Sequence, residues 1–181
     1  MLVSGPYKQI KKTPRYLKQR NRFSCGVIAL LNVLKWAGYN ITYKRDFKRA
    51  YNSCKCSRDG VYPNYFDIAI RRYKNLVVMP EDGPFNAPPI SLVDECLDNY
   101  GSVVFAYIYK YKGKIEVSHL TLCIGKVGKQ YLFVNNSTGA KKVLILQRRS
   151  TVVKMLRFSD PDFGGCECWF LTRLGNKTIK R

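Results

Sequence analysis

Four residue positions in this chain have the types needed for acyl transfer through a thiol. Cys25, followed by Gly26, stands where a long apolar run begins. A thiol at the start of such a helix faces unpaired N–H groups and the positive end of the helix dipole, both of which favour the reactive thiolate. His119 is the only histidine in the chain. Close to Cys25 it would take the thiol proton and later return it to a leaving amine. Asn135 and Asn136 follow the run YLFV, and a carboxamide there can fix one imidazole nitrogen so that the other faces the thiol. Gln19 lies six residues before Cys25. Its side-chain NH2, together with the Cys25 backbone N–H, can hold a tetrahedral oxyanion.

Each position also has a plainer reading. A buried cysteine at the start of a core helix is ordinary, and a lone histidine is usually on the surface or satisfied in the core. Asn-Asn-Ser-Thr-Gly is good turn chemistry in its own right. The distinguishing feature is the order Gln, Cys, His, Asn in one chain, which fits a thiol enzyme of the papain type.

The elements that must carry these residues can be read from periodicity. Ser24 is placed as N-cap and Gly38 just past the C-terminus of a helix that contains only Asn32 and Lys35 as polar residues, so the rest of the domain should wrap around it. Further helices are predicted over 45–52, 64–74, 90–99 and 151–158, and strands over 76–79, 103–109, 117–125, 130–135, 142–146 and 167–174, with a proline-rich loop over 80–89. In the strand that His119 opens, Leu120, Leu122 and Ile124 alternate with Thr121 and Cys123. Helices first and strands second give an α+β domain over 19–175, in which a central helix of the N-terminal part packs on a C-terminal antiparallel sheet. A basic arm, 1–18, precedes it and a basic tail, 176–181, follows. By position, Phe23, Tyr107 and Trp169 could line a substrate cleft; Trp36 is too far along the helix.

The 181 residues include 32 Lys and Arg against 12 Asp and Glu, a formal charge of +20. Such a surface attracts polyanions. It suits an acidic peptide or protein substrate and implies weak association with nucleic acid or anionic surfaces, although no nucleic-acid-binding module is recognisable. Seven cysteines and no export signal point to reduced thiols in a soluble protein of the cytoplasm or another reducing compartment. No run is long and apolar enough to span a membrane. The pairs Cys54/Cys56 and Cys166/Cys168 have a one-residue gap that strains a tetrahedral chelate, and residues two apart on a strand share a face, so neither a metal nor a cofactor is expected.

The segments QRNRFSCGVIALLNVLKWAG, DGVYPNYFDIAIRR, DECLDNYGSVVFAYI, SHLTLCIG and YLFVNNSTG together resemble the double-glycine leader peptidases, papain-like cysteine peptidases often fused to bacteriocin ABC transporters. The resemblance runs from Gln19 to Gly139. It implies a papain-like fold, Cys25 as nucleophile, His119 as general base, Gln19 as oxyanion donor, and cleavage after small residues such as Gly-Gly. Asn136 takes the place of the family's Asp, with Asn135 as the alternative third member, and Ser137 stands where the family has Pro. Two other functions use the same sequence features. One is a binding module for nucleic acid or an acidic partner on a papain-like scaffold; the other is a thiol acyltransferase or isopeptidase with the same residues.

Overall fold

In a computed structural model of the chain, the described residues are 14–111, 114–157 and 166–174. The arm up to residue 13 and the tail 176–181 lie outside them. Helix α1 (Cys25–Trp36) is buried at every position except Lys35. Asn32 does not disturb that apolar environment because both ends of its amide are matched: Oδ1 accepts the Leu17 N–H at 2.7 Å and Nδ2 donates to the Leu17 carbonyl at 3.0 Å. An unpaired buried amide would cost about 1–3 kcal/mol. The same pair of bonds anchors the end of the arm, where Tyr16 joins the core, and so fixes the approach of the chain to Gln19.

Ser24 takes the N-cap position, but its φ of −94° and ψ of 18° lie outside the extended region that lets a cap oxygen reach back to the first-turn N–H groups, and its side chain makes no cap bond. The expected cap is therefore one of position only. Helix α2 (Tyr43–Ser53) is capped by the Thr42 hydroxyl. Helix α3 (Pro63–Ile70) ends four residues earlier than the periodicity predicts. There Arg71 bonds Asp67 and reaches the carbonyls of Val78 and Pro80, tying the helix end to strand β1 (Leu76–Met79).

The remaining strands are β2 (Phe85–Asn86), β3 (Ser102–Tyr111), β4 (Lys114–Val127), β5 (Gln130–Val134), β6 (Leu144–Arg148) and β7 (Glu167–Arg173). They form one antiparallel sheet in the order β1-β7-β3-β4-β5-β6, with β2 also on β7. One face, including Val104, Ala106, Leu120, Leu122, Val134, Trp169 and Leu171, packs with α1 to α3. The other, including Val103, Phe105, Phe133, Cys168 and Phe170, is covered by helices α4 (Ile90–Asp98) and α5 (Arg149–Arg157). The α+β class stands, but helices cover both faces where the sequence reading places the helical part on one. Near-continuous apolar stretches such as Val103–Ala106 and Cys168–Leu171 are what a sheet buried on both faces requires. Cys54 and Cys56 belong to the first core and Cys166 and Cys168 to the second, so the two pairs are on opposite sides of the sheet. The sulfurs of Cys166 and Cys168 are 3.8 Å apart, as residues sharing a strand face should be.

Candidate active site

Cys25 is the first residue of α1 and is buried. Its sulfur is held by hydrogen bonds from the backbone of Leu120, Gly26 and Cys25 itself. Leu120 directly follows His119 on β4, so the helix start and the histidine strand meet at the thiol. Gly26 makes this approach sterically feasible for a third segment: a Cβ there would lie 2.7 Å from the Val61 Cβ, closer than side-chain atoms come. The loop from Cys54 to Val61 thus closes over the first turn, and its Cys56 thiol donates to the Phe23 carbonyl at 3.5 Å.

His119 pairs across the ladder with Tyr107, whose ring meets the imidazole edge-to-face at 5.8 Å. Asn136 is 1% exposed. Its Nδ2 donates to the Cys25 carbonyl at 3.1 Å and to the Leu120 carbonyl at 3.0 Å, and its side chain hydrogen-bonds His119. Both amide hydrogens are thus directed to main-chain carbonyls, one on α1 and one on β4. Asn135, the alternative third member, is engaged elsewhere: its N–H donates to the Val143 carbonyl and its Oδ1 accepts the Ser137 N–H.

Gln19 is buried and joins the same turn through its backbone, donating to the Asn136 carbonyl at 2.9 Å. Its Nε2 donates to the Asn21 carbonyl at 3.0 Å and to Thr138 Oγ1 at 3.1 Å. Sequence reasoning overlooked Asn21, Thr138, Val61 and Cys56. The signal for Thr138 was the NNSTG segment, which read only as a turn. Of the cleft candidates, Trp169 is a core residue, fully buried, with its indole N–H on Asp67 at 2.8 Å and its ring against Phe66. That corrects its placement at a cleft. The apolar volume of the indole and a carboxylate for its N–H are both supplied inside.

Burial decides the electrostatics. It pushes the Cys25 thiol above its ordinary value, against the backbone hydrogen bonds that favour thiolate. It also pushes His119 down to about 4, partly offset by the bond with Asn136. Burial thus opposes the preference of the helix start for thiolate, favouring the thiol at Cys25 and the neutral imidazole at His119. The alkylation rate of Cys25 by iodoacetamide should then climb with pH through 7 to 9, following thiolate formation. A plateau between pH 5 and 7, the mark of a preformed thiolate–imidazolium pair, would contradict this.

Among the described residues no group of three or more His, Cys, Asp or Glu is placed to hold a metal ion, and no helix is long and apolar enough to cross a membrane.

No protein-family model and no curated protein sequence matches the chain. Its structure is similar to a number of solved ones, among them three peptidases. The peptidase domain of Streptococcus ComA, a bifunctional ABC transporter of a quorum-sensing pathway, superimposes with a TM-score of 0.57 at 12% identity, covering 85% of this chain and 95% of that one. A double-glycine-motif protease from an AMS/PCAT transporter, in complex with its leader peptide, gives 0.59 at 15% identity over 88% and 91%. A C39-like peptidase from Bacillus anthracis gives 0.59 at 12% identity over 87% and 94%. Helices on an antiparallel sheet, with a cysteine opening the central helix, give this chain the papain-like fold of the C39 double-glycine peptidase domains.

Proposed function

We propose that the protein is a cysteine peptidase that cleaves a peptide or protein substrate through Cys25, His119 and Asn136, with Gln19 assisting. The observation that carries this reading is the Asn136 amide, which ties the Cys25 carbonyl to the Leu120 carbonyl while bonding His119. A residue chosen only for turn formation has no need of those three partners. In the reaction His119 takes the Cys25 proton as the sulfur attacks the scissile carbonyl. The oxyanion is met by the Cys25 N–H and the Gln19 amide, a contribution of roughly 3 kcal/mol per donor in comparable sites. His119 then protonates the departing amine, and water releases the acyl group from the sulfur.

Low exposure of Cys25 suits a narrow cleft and small residues such as Gly-Gly before the cut, and the leader-peptide complex of the AMS/PCAT protease supports a peptide substrate. The charge of +20 favours an acidic one. All seven cysteines are thiols, which suits a reducing compartment.

A tagged peptidyl chloromethyl ketone ending in Gly-Gly tests the proposal. Mass spectrometry should find the tag on Cys25 and not on the other six cysteines, and His119→Ala should slow labelling strongly. Tag spread over several cysteines, or indifferent to His119, would rule the peptidase reading out.

A further inference from the structure

Gln19 presents its amide in an unusual setting. Nε2 lies 3.0 Å from the Asn21 carbonyl and 3.1 Å from Thr138 Oγ1, and that hydroxyl itself donates to the Asn21 carbonyl at 3.2 Å. The three atoms form a nearly equilateral triangle, so the two acceptors subtend about 60° at the nitrogen, half of the ~120° that separates the two hydrogens of a planar amide. Two hydrogens cannot each point straight at acceptors so close together. One is shared between them, and the other is directed away. At the opposite end of the amide, Oε1 is buried with no hydrogen-bond partner among the described residues. Leaving a buried acceptor unpaired is costly, so the amide orientation is imposed by the nitrogen side.

Resting on the peptidase reading of the site, we infer that Thr138 is the positioning residue for the oxyanion donor: its hydroxyl fixes the Gln19 amide with one N–H turned toward the place where the oxyanion forms. The turn that supplies Thr138 also supplies Asn136, whose backbone carbonyl accepts the Gln19 N–H. The group that orients the base and the group that orients the oxyanion donor are thus two residues apart on one turn. Thr138 is exposed, and its replacement leaves the core intact.

Two probes separate this role from a structural one. A peptidyl Gly-Gly aldehyde adds the Cys25 sulfur to its carbonyl carbon. The C–O π pair moves to oxygen, the thiol proton passes to His119, and the resulting oxyanion reports on the Gln19 amide. Iodoacetamide is displaced at carbon with loss of iodide and builds no oxyanion, so it reports on the thiol alone. Thr138→Val should weaken aldehyde inhibition about fivefold and leave the iodoacetamide rate at Cys25 unchanged, while Thr138→Ser restores inhibition. Gln19→Ala should lose at least as much, and adding Thr138→Val to it should cost nothing more. Unaltered aldehyde inhibition in Thr138→Val, or an equal further loss in the Gln19→Ala background, overturns the inference while the peptidase reading stands. A wild-type protein that fails to bind the aldehyde at Cys25 overturns both.

Discussion

Cys25→Ala is expected to reduce peptide turnover to the background rate, a loss of roughly 10⁴-fold or more, and His119→Ala to do nearly the same. In the proposed reaction no other residue can replace either: the sulfur would accept the acyl group, and the chain has no second imidazole. Removing both should be scarcely worse than removing one, because the two act as a unit. Neither substitution enlarges a side chain, and α1 keeps its apolar packing, so circular dichroism should match wild type, while His119→Ala, which leaves a cavity beside Tyr107, should melt at a lower temperature. Measured on a Gly-Gly peptide with a fluorogenic leaving group, turnover that survives Cys25→Ala would refute the mechanism outright.

The second large effect is expected at Asn136. Asn136→Asp keeps the size and shape of the side chain, which makes it look conservative. The hydrogen bonds argue the reverse. An ionised carboxylate would set a negatively charged oxygen about 3 Å from the carbonyls of Cys25 and Leu120, where the amide now donates. The introduced carboxyl would avoid this by holding its proton, so its folded pKa rises above its unfolded value. The unfolded chain then releases the proton first as pH increases, and stability falls from about pH 4 upward until the raised folded value is passed. A loss of about 2–4 kcal/mol at pH 7 follows from two buried carbonyls and a strained charge. Chemical denaturation of Asn136→Asp at pH 4 and pH 7 checks the sign. Wild-type stability at pH 7 would mean that the amide donation is not what joins α1 to β4.

The identities of the elements were legible because the chain is locally consistent. The apolar run of α1, the apolar face of α3 and the β-branched and aromatic strands each carry their own period, and β1 and α4 begin where the pattern places them. What periodicity does not encode is the partner of each face. Runs such as YLFV could belong to a strand buried on one side or on both, and only tertiary packing places α4 and α5 against the second face. Asn32 looked like a polar exception in an apolar helix; its match to Leu17 depends on a contact fifteen residues away in sequence. At the site, residue types and order identified Cys25, His119, Asn136 and Gln19 as candidates. Of Asn135 and Asn136, only the second sends its side chain to the strand of His119, and that orientation is not written in the NN pair itself. A helix start is visible in a sequence, whereas the desolvation that opposes its preference for thiolate is not.

The position of β7 bears on how the protein is made. The last of the described strands, it lies between β1 and β3, joining the first described strand to the remainder of the sheet. A ribosome that has reached Arg157 has already synthesised Cys25, His119 and Asn136, yet the chain still lacks the ladder that joins β1 to β3. The long-range pairings of Leu76 with Arg173 and Met79 with Phe170 must close after the other strands have been made, which favours slow completion of the sheet. A nascent chain would therefore carry Cys25, His119 and Asn136 before it had the framework that holds them together.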